Sequence, residues 1–310
     1  MVLHQFPDLQ WLKKQAEMRF ANRKASDGTL LPHQGWPTVI LNTHAGQTYR
    51  DNIRGPFSLF TNLSGESFVE ADGRNTRIKE NFFFLTNHNQ HYTLEIDKHQ
   101  QTETFNIHFG EHFADSVVSS FQSPEKLLDD QFQIPAQPLA FHNRLQPHDG
   151  KTKNLILKIK AASNPNSLWI EENLYELMTH LFSLEKVMKK KALELPAIKS
   201  STKCEIFQRL LLATDYIFSF YDRELSLEEL ANVACLSKFH FLRLFKIAFQ
   251  KTPHQFINDV RLQRAKELLH NTSFDVHTIA RDTGFANSSS FSRMFRQQTG
   301  VYPTQFRLSK

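Results

Sequence analysis

Short apolar runs separated by turn residues fill the region between residues 36 and 110. The runs are mostly aromatic or β-branched and lie at 38–41, 57–60, 67–69, 82–85, 92–96 and 104–109. Gly65, the pair Asp72-Gly73 and the polar stretch 87–89 stand between some of them. Evenly spaced short strands with such turns are typical of a β-sandwich or small barrel. The pattern therefore predicts a β domain in the N-terminal part of the chain.

The last predicted strand alternates between apolar and polar side chains. The apolar positions are Phe105, Ile107 and Phe109, and the polar positions between them are Asn106 and His108. Successive side chains of a strand point to opposite faces, so one face is apolar and the other polar. An apolar face turned inward would give a dry core, whereas a partly polar interior would suit a sugar-like or other polar ligand. The sequence leaves both arrangements open.

A helical pattern replaces the strands between residues 168 and 191. Its apolar positions step by three and four residues, at Leu174, Leu177, Leu181, Leu184 and Met188. This spacing gives a coiled-coil-like seam, which packs either on the β domain or on the same helix of a second subunit. Of the two, we expect the second subunit, so these are candidate dimerisation residues. The lysine-rich stretch that follows contains Pro196 and is predicted to be a linker.

An internal repeat begins at residue 230. Residues 230–256 match residues 279–306, first at an offset of 49 and then of 50, which indicates one inserted residue near 284–287. The matching pairs are Phe241/Phe291, Arg243/Arg293, Phe245/Phe295, Pro253/Pro303, Gln255/Gln305 and Phe256/Phe306. A repeat of this size indicates two copies of one supersecondary unit.

Each copy has the features of a short helix, a tight turn and a capped second helix. Ser226, with Glu229 three residues later, is suited to cap the first short helix, and Thr278 is its weaker counterpart. Ser237 and Asn287 are suited to begin the second helices. The predicted buried faces of those helices are Phe241, Leu244 and Phe245 in one copy and Phe291, Met294 and Phe295 in the other. This order is the helix-turn-helix pattern, and an amphipathic helix over 256–270 is expected to join the copies.

Charge and chemistry narrow the function classes. The net charge is +5, and residues 203–310 hold 15 Lys and Arg against 10 Asp and Glu, so all of the excess lies there. A localised basic region suits a polyanionic partner. The two cysteines, Cys204 and Cys235, have no metal spacing and are expected to be reduced and buried. Neither a signal peptide nor a membrane span is expected, which favours the cytoplasm. The candidate metal ligands are His88, His91, Glu95 and His108, but their spacing does not place them on one strand face, so no metal or other cofactor is expected.

The C-terminal residues resemble the DNA-binding domain of the AraC/XylS family of bacterial regulators. The resemblance rests on Leu230-Ala231, Ser237, Leu244-Phe245-Lys246, Arg261-Leu262-x-x-Ala265, Leu268-Leu269, Ile279-Ala280, Gly284-Phe285, Phe291-Ser292-Arg293-x-Phe295-Arg296, Gly300-x-x-Pro303 and Phe306-Arg307. Gln250 departs from it, because the family usually has a helix-ending glycine there, and a slightly strained turn is therefore expected at this residue. More weakly, the strand order, Asp72-Gly73 and His91-Tyr92 resemble the jelly-roll (cupin-like) sensor domain of the same family.

The resemblance implies roles for exposed residues of the second helices. Residues expected to contact bases are Lys238, Phe239, Leu242 and Arg243 in the first copy and Asn287, Ser288, Ser289, Ser292 and Arg293 in the second. Residues expected to contact phosphates are Ser237, Lys246 and Arg296. The alternative for Arg243 and Arg293 is a solvated surface arginine or an internal salt bridge, and for Phe239 it is a partly buried aromatic side chain. Candidate effector-binding residues in the β domain are His91, Tyr92, Asn106 and His108.

Together these observations predict an α+β protein with four parts. These are a jelly-roll effector-sensing domain (1–165), a helical dimerisation segment (166–193), a linker (194–204) and an all-α double helix-turn-helix domain (205–310). The predicted function is sequence-specific, effector-controlled regulation of transcription by a homodimer on double-stranded DNA, with RNA polymerase as a partner implied by the family. The alternatives are a cupin-type metalloenzyme with a DNA-binding tail and a constitutive DNA binder without an effector.

Overall fold

The computed structural model describes residues 1–20, 23–24, 30–31, 35–97, 99, 101–110, 113–114, 116–117, 143–162, 166–196 and 200–308. The chain divides into two compact units, Met1–Met188 and Lys189–Lys310. The described strands all lie in the first unit, and the regular structure described in the second is helical. The predicted combination of an N-terminal sheet domain with a C-terminal helical domain is confirmed.

The first unit is built from two facing β-sheets. Its strands are β1 (Val2–Leu3), β2 (Arg23–Lys24), β3 (Leu30–Leu31), β4 (Val39–Ala45), β5 (Thr48–Arg54), β6 (Ser58–Ser64), β7 (Glu66–Ala71), β8 (Arg74–Lys79), β9 (Phe82–Thr86), β10 (His91–Ile96), β11 (Thr102–His108) and β12 (Leu145–Pro147). One sheet has the order β1-β4-β11-β6-β9-β12, the other β5-β10-β7-β8, and β2 pairs with β3. All six predicted runs fall on strands.

Helix α1 (Leu9–Phe20) contacts β5 of the smaller sheet. Two helices cover the outer face of the larger sheet, α2 (Gly150–Ala161) and α3 (Ser167–Leu193), whose apolar side chains share one core with that sheet. On β11, Phe105 and Ile107 belong to that core. Because side chains alternate along the strand, Asn106 and His108 point the other way, towards the smaller sheet. The space between the sheets is therefore partly polar, which was the second of the two arrangements left open by the sequence.

The heptad seam of α3 packs on the sheet of its own chain. Leu174, Leu177 and Leu181 are at most 1% exposed and lie in the same core as Leu59 and Ile107. Leu184 packs against this core while partly buried, and Met188 is half-buried. The expectation that this seam pairs with a second subunit is therefore wrong for its buried residues. The outer face of the sheet is apolar and must be covered, and the seam supplies that cover.

The predicted linker is shorter than expected. Helix α4 (Ser200–Phe220) begins inside the stretch 194–204, so residues 200–204 form its first turns rather than a connection. Residues 197–199 of that stretch lie outside the described residues. Ala192 and Leu195 are buried, and Leu193 accepts a hydrogen bond from Lys203 Nζ at 2.7 Å. The segment around Pro196 is thus tied to α4.

The repeat folds into two pairs of helices joined by a longer one. The helices are α5 (Leu227–Val233), α6 (Lys238–Phe249), α7 (Pro253–Asn271), α8 (Val276–Asp282), α9 (Ser288–Thr299) and α10 (Pro303–Leu308). Phe241 and Phe245 on α6 and Phe291 and Phe295 on α9 are fully buried, as predicted from the repeat. The connecting helix α7 extends beyond the predicted 256–270 at its start, where Thr252 and Gln255 form a capping box.

The helix caps agree with the sequence in part. The Ser226 hydroxyl accepts a hydrogen bond from the Glu229 amide at 3.0 Å and so begins α5, as predicted. In the second copy, Asp275 takes this position, and its carboxylate accepts from the Thr278 amide at 2.9 Å. Thr278 is therefore the third residue of α8 rather than its cap, since an aspartate at the preceding cap position satisfies the free amide.

Candidate functional site

The first turn of α6 exposes its side chains to solvent. Ser237 begins the helix in extended backbone, and its side chain makes no capping hydrogen bond. Lys238 is exposed, and Phe239 is 86% exposed, the highest value among the exposed large apolar residues described. A phenylalanine so far from any core has lost the favourable burial that such a side chain normally gains. Phe239 is thus not the partly buried aromatic that was its alternative role.

The cations further along α6 are free of protein partners. Arg243 and Lys246 are exposed, and within the described part of the chain neither forms an ion pair or a side-chain hydrogen bond. Other cations of this unit are engaged: Arg223 contacts Glu229 at 2.6 Å and Lys251 contacts Asp259 at 2.5 Å. The structural alternative for Arg243, an internal salt bridge, is therefore absent. Leu242 lies half-buried beside it.

Helix α9 presents a more polar version of the same surface. Asn287 Oδ1 accepts the Ser290 amide at 2.8 Å, so this residue serves as the cap and keeps only its amide group for other contacts. Ser289 and Arg293 are exposed, while Ser288 and Ser292 are half-buried. Among the described residues, Arg293 has no ion-pair partner. The predicted set on α9 is thus brought to one face, with Arg293 as its free charge.

Arg296 differs from its counterpart Lys246 in being held in place. Its Nη1 donates to the Tyr302 hydroxyl at 2.7 Å, and its guanidinium lies 4.6 Å from the centroid of that ring. An open hollow runs beside it, lined by Ser289, Ser292, Arg293, Arg296, Gln297, Gly300 and Tyr302. Tyr302 was not singled out from the sequence. A guanidinium stacked on a ring loses less freedom on binding an anion, so this one is pre-organised.

Two turns in the first copy use left-handed backbone without glycine. Cys235 has φ 50° and Gln250 φ 56°, where the equivalent residues of the second copy are Gly284 and Gly300, both at φ 81°. Gln250 ends α6, and its side-chain amide donates to the Ile247 carbonyl at 2.8 Å. The strain expected from the departure at Gln250 is therefore located in its backbone, because left-handed backbone is unfavourable for residues with a Cβ.

Gln250→Gly is expected to stabilise the C-terminal unit by about 0.5–1 kcal/mol. Glycine removes the left-handed penalty of about 1–2 kcal/mol, and the lost side-chain hydrogen bond and the greater freedom of the unfolded chain offset part of that gain. Chemical denaturation followed by circular dichroism measures the effect. Gln250→Ala is the control, since it removes the side-chain bond but keeps the Cβ. An alanine variant as stable as the glycine variant would contradict the argument.

Arg261 ties the connecting helix to both copies. Its Nε donates to the Tyr221 carbonyl at 2.8 Å and its Nη2 to the Arg223 carbonyl at 2.7 Å, which holds the turn before α5. The same guanidinium lies 5.7 Å from the centroid of Phe285, in the turn before α9. One half-buried side chain therefore contacts the approaches to both exposed helices.

The β domain holds an interior cavity of about 240 Å³. It brings together three of the four predicted effector residues, Tyr92, Asn106 and His108, with Arg50, which the sequence did not indicate. The fourth, His91, is exposed and contacts Asn52 through Nδ1 at 2.7 Å outside the cavity. His91 and Tyr92 are neighbours on one strand, so their side chains point to opposite faces. His91 therefore does not belong to the predicted effector-binding site.

Two titratable groups of the cavity wall, His108 and Tyr92, are held in their neutral forms. Burial, aided by the nearby charge of Arg50, lowers the pKa of His108 to about 4, and burial raises the pKa of the Tyr92 hydroxyl. The Ser58 hydroxyl donates to the Pro56 carbonyl at 2.8 Å, so at 2.9 Å it accepts from Nδ1–H of His108. His108 Nε2 is then an acceptor without a proton.

The described residues contain neither a metal cluster nor a membrane-crossing helix. Across those ranges, no group of three or more His, Cys, Asp or Glu side chains is arranged to hold a metal ion. Cys204 and Cys235 are unpaired and exposed, which contradicts the expectation that they are buried. No helix among the same residues is long and apolar enough to cross a membrane.

Comparisons with known proteins match the C-terminal unit most clearly. A family model described as a helix-turn-helix domain matches residues 230–309. The probable transcriptional regulator LumQ of Photobacterium leiognathi is 35% identical over 97 residues, which is 31% of this chain and 39% of that protein. This chain thus covers only about two fifths of that relative. Two HTH-type transcriptional regulators are similar over 84% of the chain: YisR of Bacillus subtilis, at 21% identity and 89% of its length, and a protein of Haemophilus influenzae, at 23% and 88%.

The solved structures that the chain matches include one bound to DNA. The DNA-binding domain of AdpA in complex with a target DNA is 25% identical, covers 33% of this chain and 91% of its own, and has a TM-score of 0.32. ToxT from Vibrio cholerae is 14% identical and covers 89% of this chain and 98% of its own, with a TM-score of 0.34.

Proposed function

We propose that this chain, whose residues 230–309 match a helix-turn-helix domain, is a transcription regulator of the AraC/XylS type that binds double-stranded DNA at specific sequences. The observation that carries the proposal is the face of α6, where an 86% exposed phenylalanine stands beside cations without protein partners. Such a face has no role in the fold. It matches a recognition helix, which places its first turns against base edges and its later cations against phosphates.

Each helix pair acts as one helix-turn-helix motif in this proposal. Arg243 pairs with a guanine edge, while Phe239 and Leu242 contact thymine methyl groups. Asn287, Ser289 and Arg293 make the corresponding contacts from α9. Lys246 and Arg296, with the Ser237 hydroxyl, hold phosphates on either side. Since hydroxyl groups read bases with little discrimination, α6 contributes more of the sequence preference than α9.

The connecting helix sets the spacing of the two motifs. Arg261 joins α7 to the approaches of both recognition helices, so their separation is fixed before DNA binds. Two rigidly joined motifs suit adjacent major grooves on one face of the duplex, about 34 Å apart. One subunit then covers on the order of 16–20 base pairs.

DNA binding by the full chain tests the proposal. We expect affinity to fall steeply with salt, because each phosphate neutralised by a cation releases counterions and contributes about 0.9 to the log–log slope. With Lys246 and Arg296 on phosphates, the slope is about −2 or steeper. Binding to DNA flanking the protein's own gene, measured at several salt concentrations, gives this value. An affinity that stays flat from low to moderate salt would refute the electrostatic contacts.

The β domain is proposed to be the sensor. Its two-sheet architecture is compatible with a jelly roll, and the cavity between the sheets contains convergent polar groups in an apolar wall, as ligand sites do. A small effector bound there would change how the protein occupies DNA. The relatives that span most of the chain are named as transcription regulators, which favours a regulator over the metalloenzyme alternative. A constitutive binder would show the same DNA affinity with and without any effector.

A homodimer is also proposed, but not through the heptad seam. The side of α3 that is not in the core keeps Leu168 at 63% and Tyr175 at 42% exposure, two turns apart on one helix face. Apolar residues at this spacing are suited to meet the same helix of a second copy. The family resemblance adds RNA polymerase as a partner and the cytoplasm as the place of action.

A further inference from the structure

Arg50 is a buried guanidinium in the wall of an apolar cavity. It lies on β5 and is 9% exposed. Its Nη2 donates to the Pro7 carbonyl at 2.7 Å, and its guanidinium lies 5.1 Å from the centroid of the Phe6 ring. The side chain therefore enters the cavity from the smaller sheet and is held there by the N-terminal segment.

The charge of Arg50 has no counter-ion in the described chain. No carboxylate lies within ion-pair distance of it; Asp8, the acid that acts on its pKa, is exposed and accepts the Trp11 amide at 2.7 Å. An arginine stays protonated in a protein, and a buried charge is costly unless it is paired. A guanidinium has five N–H groups, so most of its donors remain available to a bound molecule.

Two further donors face the same space without a partner. Asn106 is 2% exposed and the Tyr92 hydroxyl stays protonated, yet neither makes a side-chain hydrogen bond among the described residues. Buried polar groups are nearly always paired with protein, water or ligand. The buried polar groups of the wall thus place donors beside the charge of Arg50, with His108 Nε2 and the Asn106 side-chain oxygen as acceptors.

Apart from Gln15 and Arg54, the rest of the wall is apolar. It includes Leu3, Trp11, Trp36, Leu41, Ile53 and Phe60, and the cavity volume is about 240 Å³. Ligand sites for drug-sized molecules hold about 300–1,000 Å³, so the space suits a smaller molecule. A sugar carries hydroxyl groups on all sides and would leave most of them unpaired against this wall.

We propose that this cavity binds a small carboxylate with an apolar body, whose carboxylate pairs with Arg50 while the body fills the space between Trp36 and Phe60. The proposal rests on the sensor role proposed for this domain and names its class of effector. An Arg–carboxylate pair is often bidentate, and Asn106 and Tyr92 can each add a donor to the same group. The bound anion neutralises the buried charge.

Matched pairs of small molecules test the class with the full chain. The probes are octanoate with octanamide and 3-phenylpropanoate with 3-phenylpropanamide, and glucose represents the polar neutral alternative. Calorimetric titration is expected to show at least one carboxylate bound tenfold or more tighter than its amide, and no binding of glucose. Amides that bind as tightly as their acids, or a preference for glucose, would overturn the proposal.

Variants of Arg50 test whether this residue pairs with the carboxylate. Arg50→Gln is expected to reduce the affinity for the carboxylate at least tenfold and to abolish the preference over the amide, whereas Arg50→Lys keeps part of that preference. Arg74→Gln is the matched control, because Arg74 carries the same charge in the same sheet, on β8, but does not line the cavity. Equal losses in the Arg50→Gln and Arg74→Gln proteins would show a diffuse charge effect and refute the pairing.

DNA binding separates this proposal from the one on which it rests. All variants are first titrated with DNA in the absence of probes, where the affinity of wild-type protein and of Arg50→Gln should agree within about twofold. Normal DNA binding with no preference for carboxylates would reject the ligand class and leave the regulator function standing. Loss of salt-dependent DNA binding in the wild-type protein would reject the regulator function instead, whatever the probes do.

Discussion

Arg243→Ala should weaken binding to the specific DNA site by about 1–3 kcal/mol and loosen the preference at one base position. Arg243 is exposed on α6, is matched by Arg293 in the repeat and has no ion-pair partner in the described chain. A bidentate contact from arginine to guanine is worth that amount in discrimination, because the wrong base leaves donors unpaired. Sites selected from random-sequence DNA by the wild-type protein, and scrambled versions of them, provide the two substrates.

Lys246→Ala is the control for this prediction. Lys246 is as exposed as Arg243 and equally free of partners, but it lies nearly one turn further from the start of α6. A phosphate contact carries no base identity, so its loss should weaken specific and scrambled DNA alike and lower the salt slope by about one unit. If Arg243→Ala also weakens both DNAs equally, Arg243 is a phosphate contact and not a base reader.

The C-terminal unit was predictable because its signals are local. Caps, turns and the repeat of large residues each act within a few positions, and the buried pairs Phe241/Phe291 and Phe245/Phe295 follow from that pattern. Even the strain at Gln250 was visible as a departure from the glycine of the second copy. The exposure of Phe239 was not predictable, because helical spacing alone does not show whether a neighbouring element covers a position.

The interior site was found only in part, and the missed residue explains why. Strand β5 reads Thr-Tyr-Arg-Asp-Asn-Ile-Arg and has no apolar run, since its outer positions are polar and Arg50 itself occupies an inner one. Because β5 is not recognised as a strand from the sequence, none of its residues is a candidate for the interior site. Arg50 is therefore visible only once β10, which carries Tyr92, is seen to pair with β5.

The prediction that the seam of α3 pairs with a second subunit was wrong for a different reason. Periodicity at Leu174, Leu177 and Leu181 establishes that one face is apolar, but it does not say what covers that face. The answer depends on the outer face of the sheet, whose apolar residues Ile40, Leu59 and Phe83 come from three separate strands. Such long-range complementarity has no local sequence signature.

Gly284→Ala should destabilise the C-terminal unit by about 2–5 kcal/mol, the largest loss expected from any substitution considered. Gly284 has φ 81°, and a Cβ at this residue would lie 2.6 Å from the Tyr221 carbonyl oxygen and 2.8 Å from the Asp222 carbonyl carbon. The left-handed backbone costs an alanine about 1–2 kcal/mol, and displacing packed backbone adds about 1–3 kcal/mol. In the wild-type protein, the absence of a Cβ at Gly284 allows the turn before α9 to contact the turn before α5.

Gly300→Ala separates the two causes of that loss. Gly300 has the same φ of 81°, but a Cβ there would meet no atom within 4 Å, so only the backbone penalty of about 1–2 kcal/mol is expected. Denaturant unfolding of the full chain, followed by far-ultraviolet circular dichroism, measures both variants. Trp11, Trp36 and Trp169 all lie in the first unit, so tryptophan fluorescence reports the unfolding of that unit on the same samples.

Because the contact between the turns fixes α9 relative to α5, the Gly284→Ala protein should also lose affinity for specific DNA before it unfolds. Equal destabilisation by the two alanines would show that the close approach to Tyr221 contributes nothing, and that the spacing of the two recognition helices depends on Arg261 and α7 alone.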